Sequence, residues 1–334
     1  MLIPALVPAT EPVDTIKMVF IGDVMMHKPQ LSHDHTVFLS DIAPLLSDAD
    51  IAVANAEFTL AGRPYTGYPA FSAPDSYAGS ILAAGVDVLL TANNHILDKG
   101  ENGLSRTLEV YSRYPFLPVA GSGRNEAEYR SNNPLILLCK GAKIALVNVT
   151  YGTNLPSSGG YPKVSYLRER EVREQFGRAR RAGADFIIAL PHWGEEYKTV
   201  HNASQRRWAE LFVELGAGAV VGAHPHVVQD TSFIAGVPVI YSMGNAVSNM
   251  SARNTRLELA VELNLLHHRV SGETRLLRPV LHFLWCTLPG KLTDSYMTVE
   301  LDRYEGKRHL WKDKSDYDNM MQTLERVKKE TGIQ

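Results

Sequence analysis

The sequence of 334 residues contains only two cysteines, Cys139 and Cys286. Each lies in an apolar stretch, so we expect two buried thiols and no disulfide framework. The apolar opening, residues 1–9, is broken by prolines and lacks basic residues, which excludes an intact signal peptide or a membrane span there. The formal net charge of -2 gives no reason to expect nucleic acid as a partner. The chain is therefore expected to be a soluble globular protein.

The composition, with 45% hydrophobic and 21% charged residues, is ordinary for a globular enzyme-sized protein that can bury a large core. The Pro-rich start, residues 1–15, predicts a flexible N-terminal arm. Residues 16–301 are expected to form the principal domain. Residues 302–334 are expected to be a C-terminal extension with a terminal helix.

Short apolar runs alternate with helical patterns along most of the chain. Such alternation predicts an α/β fold in which strands pack between helices. Periodicity alone leaves a barrel open as an alternative. The last third, residues 256–301, is typical of antiparallel strands, and a hairpin is expected around residues 140–141. The predicted strands lie at 16–21, 51–54, 86–90, 186–190, 219–221 and 238–241, and the predicted helices at 36–46, 76–84, 104–113, 167–182, 204–215 and 317–329.

Polar side chains of the kinds that bind metals follow the ends of six predicted strands. In open α/β sheets, ligands bind beyond the carboxyl ends of the strands, because the loops there converge on one crevice. We therefore expect these side chains to share one cavity. They are Asp23, Glu57, the pair Asn94 and His95, His192, the pair His224 and His226, and Asn245.

The residue types in this set indicate a site for two cations. Two divalent cations close together need an anionic oxygen ligand between them, and Glu57 is our choice for that bridge. Asp23 would hold one metal, with His27 as a further ligand. Asp98 is expected either to orient His95 or to cap the helix that follows.

Six motifs in this order resemble those of the CapA family of capsule and poly-γ-glutamate synthesis proteins, which is related to calcineurin-like metallophosphoesterases. The resemblance covers roughly residues 16 to 250 and implies a four-layer α/β/β/α sandwich. The chain departs from the phosphoesterase pattern at Met25, where relatives have a histidine, and at the segment that ends in Glu57. The motifs are FIGDVMMH at 20–27, NAE at 55–57, ANNHILDKG at 92–100, PHWGEEY at 191–197, GAHPHVVQ at 222–229 and YSMGN at 241–245.

The resemblance also implies a distribution of the ligands over two divalent metal ions, for which Mn, Zn or Fe would be suitable. One ion would be held by Asp23, Glu57 and His226, with His27 as a possible addition. The other would be held by Glu57, Asn94, His192 and His224. His95 would act on the substrate by protonating the leaving oxygen or stabilising developing charge. Glu196 and Asn245 are candidates for substrate contacts.

Two functions are compatible with these features, and a third interpretation is a site for a small ligand or for one structural metal. The first is a metal-dependent, phosphoesterase-like hydrolase linked to capsule or poly-γ-glutamate synthesis, acting on an anionic polymer or a phosphoester. The alternative is a non-catalytic component of capsule polymer assembly or export that keeps the fold. Other capsule-synthesis proteins are possible partners. The resemblance implies an extracytoplasmic or cell-surface location, with a cytoplasmic one left open.

Overall fold

Two mixed β-sheets form the frame of the protein, whose computed structural model describes residues 12–334. The strands, in chain order, are β1 (Val13–Val24), β2 (Ile51–Ala56), β3 (Val88–Leu90), β4 (Val119–Ala120), β5 (Ser122–Gly123), β6 (Leu135–Cys139), β7 (Ala142–Thr150), β8 (Lys163–Val164), β9 (Phe186–His192), β10 (Ala219–Val221), β11 (Thr231–Ile234), β12 (Val237–Ile240), β13 (Leu257–His268), β14 (Thr274–Leu276), β15 (Val280–Thr287) and β16 (Met297–Glu300). The helices are α1 (Ala43–Ser47), α2 (Ser76–Ala83), α3 (Gly100–Tyr111), α4 (Glu126–Asn132), α5 (Glu169–Arg181), α6 (Ala203–Glu214) and α7 (Lys314–Thr331). Short 3-10 helices lie at Lys28–Ser32, His35–Val37, Leu301–Arg303 and Arg308–Leu310.

The first sheet has eight strands in the order β16-β15-β13-β1-β2-β3-β4, with β14 paired to β13. Strands β1 to β4 are parallel neighbours, whereas β13 pairs antiparallel with β1 and with β15. The antiparallel character predicted for the last third of the chain is therefore confirmed. This arrangement points the carboxyl ends of β1, β2 and β3 to the same edge.

The second sheet has six strands in the order β11-β12-β10-β9-β7-β6. Strands β7, β9, β10 and β12 are parallel, and β6 and β7 form the predicted hairpin. Strands β5 and β8 make a separate two-stranded pair. The parallel strands again send their carboxyl ends to one edge, so each sheet contributes loops to a common region.

Three clusters of buried hydrophobic residues hold these elements together. One cluster combines side chains of both sheets, including Phe20 from β1 and Leu146 from β7. A second packs α2 and α3 against the first sheet, and a third packs α5 and α6 against the second, with Phe176 and Phe212 at its centre. The mixed α/β architecture with more than one sheet is thus confirmed, while its description as four layers remains a prediction.

Some boundaries differ from the sequence-based expectation. Strand β1 begins at Val13, three residues before the predicted start, and the rest of the predicted arm, residues 1–11, lies outside the described residues. The single helix predicted at 36–46 is wrong: a 3-10 turn is followed by the short helix α1, which starts beside Pro44. Proline favours the first turn of a helix because its missing N–H is not needed there. None of the helices in the described residues is long and apolar enough to cross a membrane.

Candidate metal centre

The candidate metal centre lies where the carboxyl ends of the parallel strands of both sheets meet. The first sheet contributes residues at or after the ends of β1, β2 and β3, and the second contributes residues at or after the ends of β9, β10 and β12. The structure brings together seven of the predicted site residues, all buried: Asp23, Glu57, Asn94, His95, His192, His224 and His226.

Asp23 is aimed into the site by an irregularity in β1. The register between β1 and β2 shifts between Ile21 and Asp23, and such a bulge changes the direction of the side chain that follows. Gly22 sits at this point because a Cβ there would lie 2.0 Å from the carbonyl oxygen of Gly244. The backbone N–H of Gly22 donates to Oε1 of the buried Glu258 at 2.6 Å. A close backbone contact and a buried carboxyl group together position Asp23.

Glu57 is fully buried at the centre of the group. Neither of its carboxyl oxygens has a hydrogen-bond partner among the described residues. The Nε2 atom of His192 lies 3.8 Å from Glu57 Oε1, and those of His95 and His226 lie 3.9 Å from it. Three imidazoles from three different segments of the chain therefore face one carboxyl oxygen.

His192, the last residue of β9, is held by two asparagines from the first sheet. Its Nε2 lies 2.7 Å from Asn94 Oδ1, and its Nδ1 lies 3.3 Å from Asn55 Nδ2. The same Asn55 Nδ2 donates to Asp23 Oδ1 at 2.7 Å. Because Asn55 contacts both Asp23 and His192, it ties ligand candidates of the two sheets to each other.

His224 and His226 adopt backbone conformations that residues with side chains rarely occupy. Their φ angles are 100° and 59°. Such values persist only where contacts with the surrounding structure hold the backbone in place. The turn lets both imidazoles reach Glu57 from one short segment. His226 Nδ1 lies 2.9 Å from Asn245 Oδ1 and 3.2 Å from Asp23 Oδ2, which leaves Nε2 as the atom directed to Glu57.

His95 is oriented by Asp98, as one of the two sequence-based alternatives predicted. The His95 Nδ1 atom lies 2.7 Å from Asp98 Oδ2, so its Nε2 atom is the one that faces Glu57. Asp98 Oδ2 also accepts from the backbone N–H of Phe71 at 2.9 Å, and the Phe71 ring packs edge-on against His95 at 4.7 Å. Asn154 Nδ2 donates to Asp98 Oδ1 at 3.2 Å. The imidazole is therefore fixed on three sides.

Burial and neighbouring charges set the protonation of the site. Burial lowers the pKa of His224 from 6.5 to about 3, and it also lowers the pKa of His192. Burial raises the pKa of Asp23, but the hydrogen bond and charge of His226 outweigh it and bring that pKa to about 2. Burial, reinforced by the charge of Asp23, raises the pKa of Glu57 well above 4.5. Cation binding requires neutral imidazoles and ionised carboxylates, a condition that His192, His224 and Asp23 meet. Asp23 raises the pKa of His226, so His226 and Glu57 would release protons when a cation binds.

The remaining predicted residues lie around this centre. Asn245 was a candidate for a substrate contact, and its side chain contacts the ligand candidate His226. Glu196 is exposed. His27 is not among the residues whose ligand atoms cluster, and its Nδ1 accepts from the backbone N–H of Asn249 at 3.3 Å. Burial lowers the pKa of His27 from 6.5 to about 4.

Four contacting residues were not found from the sequence: Asn55, Asn154, Glu258 and Tyr151. Asn55 lies two residues before Glu57 in a motif already recognised, and this proximity was a usable signal. Tyr151 follows β7 directly, and its ring lies 4.6 Å from that of His224. Asn154 and Glu258 reach the site from distant segments, and no local pattern marks them.

The residues present fit divalent cations. In two groups of three, the ligand atoms lie within 4.8 Å of one another: Glu57, His224 and His226, and Asp23, Glu57 and His192. Glu57 belongs to both groups, as a bridging carboxylate would. The other ligands are distributed differently from the expectation, which placed Asp23 with His226 and His192 with His224. The buried Nδ1 of His224 also lacks a hydrogen-bond partner among the described residues. Buried polar atoms are normally paired, and a cation would supply the partner that these atoms lack.

Proteins of similar sequence are named for capsule or PGA biosynthesis. The family described as "Bacterial capsule synthesis protein PGA_cap" matches residues 17–250. The capsule biosynthesis protein CapA of Bacillus anthracis is 24% identical over 75% of this chain and 64% of its own length. The PGA biosynthesis protein CapA of Bacillus subtilis (strain 168) is 28% identical over 53% of this chain and 47% of its own length. The chain therefore matches less than two thirds of the length of either relative.

Solved structures share the fold at lower identity. A putative 5'-nucleotidase from Staphylococcus aureus is 13% identical, with a TM-score of 0.53 over 80% of this chain and 54% of that one. The NAD nucleotidase of Haemophilus influenzae is 15% identical, with a TM-score of 0.50 over 83% of this chain and 59% of that one. The likeness shows that this chain has the fold of these two nucleotidase structures. With the match that spans residues 17–250, the chain belongs to the PGA_cap family of bacterial capsule synthesis proteins.

Proposed function

We propose that this protein is a metal-dependent hydrolase of the phosphoesterase type that acts in the synthesis of a capsule polymer. The observation that carries the proposal is Glu57, a buried carboxyl group with two unpartnered oxygens and three imidazole Nε2 atoms within 3.9 Å of Oε1. A protein that served only as a scaffold would have no need to bury such a group. The association with capsule synthesis comes from the family and is extended here to this chain.

Two divalent cations would be held by Asp23, Glu57, Asn94 and the histidines His192, His224 and His226. Carboxylate, amide and imidazole ligands suit Mn, Fe or Zn. When bound, the cations would lower the pKa of a water molecule and place positive charge beside the scissile group. His27 remains a possible additional ligand, which would require its side chain to exchange its present contacts.

The chain's own contribution to the reaction would come from His95. Asp98 holds the Nδ1 side of this imidazole, which directs Nε2 to Glu57 at the centre of the site. From there Nε2 can give a proton to the leaving oxygen. Asp98 and Phe71 act on the substrate only through His95, as positioning residues. Because they fix the ring before substrate binds, little reorganisation is needed during the reaction.

The substrate would be a phosphoester in or attached to a cell-envelope polymer, and the place of action would be outside the cytoplasm. The name of the Bacillus subtilis relative makes poly-γ-glutamate one candidate polymer. Other capsule-synthesis proteins are candidate partners. The alternative, a component of assembly or export without turnover, predicts metal binding but no hydrolysis.

The test combines metal analysis with hydrolysis assays. The protein purified with Mn²⁺ should contain two equivalents of metal and hydrolyse generic phosphate mono- or diesters. His95→Ala should abolish turnover and keep both equivalents, whereas His309→Ala, which changes an exposed histidine, should match the wild type. One equivalent of metal would indicate a structural site. Metal without hydrolysis of any ester would support the non-catalytic alternative, and equal activity of His95→Ala would remove His95 from the mechanism.

A further inference from the structure

A second cavity adjoins the metal centre and shares one wall with it. It has a volume of about 310 Å³ and is lined by Tyr151, Leu167, Trp193, Gly194, Asn202, Ser204, Gln205 and Trp208. The Tyr151 ring lies 4.6 Å from the ring of His224 and 6.4 Å from that of His192. The Tyr151 side chain therefore separates this cavity from the metal centre. A chemical group attached to a substrate at the metal centre could enter the cavity by passing this side chain. A larger cavity, of about 480 Å³ beside Phe233, shares no residue with the metal centre.

The walls of the cavity are held in place by contacts from several elements. The backbone N–H of Tyr151 donates to the carbonyl of His192 at 3.0 Å, so the position of Tyr151 depends on the strand that carries a ligand candidate. Trp208 packs against Phe212 on α6, with ring centroids 6.1 Å apart. Gly194 has a φ of 104°, and a Cβ at this position would lie 2.7 Å from Gln205 Nε2. The cavity is thus a preformed feature of the fold.

The chemistry of the lining selects for an uncharged ligand. None of the eight lining residues carries a charge, and they combine aromatic rings with two hydroxyl groups and two amides. The exposed start of α6 does not offer a free anion site, because the Asn202 side chain already accepts from the N–H groups of Ser204 and Gln205. A carboxylate placed here would lose its hydration without gaining a cationic partner, which is costly.

We propose that this cavity binds a glycosyl unit, so that the substrate of the metal centre is a glycosyl phosphate or a phosphoester next to a sugar. The inference rests on the proposed function for its catalytic half. A sugar ring presents C–H faces that pack on Tyr151 and Trp208, together with hydroxyls for the Asn202 side-chain N–H groups and for Ser204. The Gln205 amide is already hydrogen-bonded to Asn202 and Gln229, so it shapes the wall. The volume is at the lower end of that of ligand sites, which suits a single ring. A γ-glutamyl unit, which carries a carboxylate, fits this lining poorly.

The first arm of the test is independent of metal and turnover. Saturation-transfer NMR on the full chain with methyl α-glucoside should show transfer from aromatic protons to the sugar ring. Ser204→Phe should abolish the transfer by filling the cavity, and it removes no buried packing because Ser204 is exposed. Phe233→Ala, which changes an exposed ring near the other cavity, should leave the transfer intact. Absence of transfer in the wild type, or its persistence in Ser204→Phe, would overturn the proposal.

The second arm connects the cavity to the metal centre. Calorimetry on the Mn²⁺-loaded protein should show glucose 1-phosphate binding about tenfold more tightly than inorganic phosphate, equivalent to about 1.4 kcal/mol. Trp208→Ala and Ser204→Phe should bring this ratio towards one. An unchanged ratio in both variants, or tighter binding of γ-glutamyl-glutamate than of glucose 1-phosphate, would contradict the glycosyl assignment. If phosphate and Mn²⁺ fail to bind while the glucoside still does, the proposed function fails and the sugar site stands.

Discussion

Replacement of Glu57 by glutamine should make the protein more stable than the wild type without metal and less stable than the wild type with metal. In the metal-free protein the buried carboxyl group has no hydrogen-bond partner among the described residues, and such a group costs about 1–3 kcal/mol. Glutamine keeps the shape, removes the ionisable group and can donate an N–H to the neighbouring carboxylate of Asp23, so metal-free Glu57→Gln should be more stable than metal-free wild type. With metal present the wild type should be the more stable protein, because the variant lacks the carboxylate that belongs to both groups of ligand candidates.

The size of the effect follows from the length of the chain. At a free metal concentration of 100 times Kd, one bound ion stabilises the folded state by about 2.7 kcal/mol. An unfolding entropy of about 2.1 cal/mol/K per residue over 334 residues gives about 0.7 kcal/mol/K in total. Each ion should therefore raise Tm by about 4 °C. Loss of the unpartnered carboxyl group should raise the Tm of the metal-free variant by roughly 1–4 °C.

Differential scanning calorimetry with Mn²⁺ and with EDTA measures both quantities. Glu258→Gln is the matched control, since Glu258 is also fully buried and glutamine can still accept the hydrogen bond from Gly22. This control should keep the metal-dependent rise in Tm. A Glu57→Gln protein that gains as much Tm from Mn²⁺ as the wild type would refute the assignment of Glu57 as the shared ligand.

Three further predictions concern the residues around the centre. Asp98→Asn should lower turnover roughly 100-fold with unchanged metal content, and steady-state kinetics with metal analysis measures both. The amide has one acceptor oxygen for the three donors His95, Phe71 and Asn154, so it orients His95 less well. Gly22→Ala should lower both the free energy of unfolding, by about 1–3 kcal/mol or more in denaturant titrations, and the metal content, because its Cβ would lie 2.0 Å from the Gly244 oxygen. Burial raises the pKa of Glu258 well above 4.5, so its contribution to stability is complete below pH 4.5 and is lost as pH rises through the raised value. Denaturant titrations between about pH 5 and about pH 9 should therefore show a smaller loss of stability for Glu258→Gln than for the wild type.

The sequence by itself indicated the class of fold and the position of each ligand candidate along the chain. Strand and helix periodicity is a local property, and the polar residues that follow apolar runs, such as Asp23, His192 and His224, mark strand ends without knowledge of the partners. The parallel arrangement then makes those ends converge. This is why seven of the predicted residues come together in the structure. The failures at this level were local too: the helix predicted at 36–46 is interrupted before Pro44.

Only the tertiary structure decided which atoms face each other inside the site. The grouping of Glu57 with His224 and His226, the contact of Asn55 with both Asp23 and His192, and the wall that Tyr151 forms all join segments far apart in the chain. Such contacts depend on how two separate sheets are packed against each other. Periodicity within one strand carries no information on that packing, because the buried faces of both sheets are built from the same kinds of apolar residues.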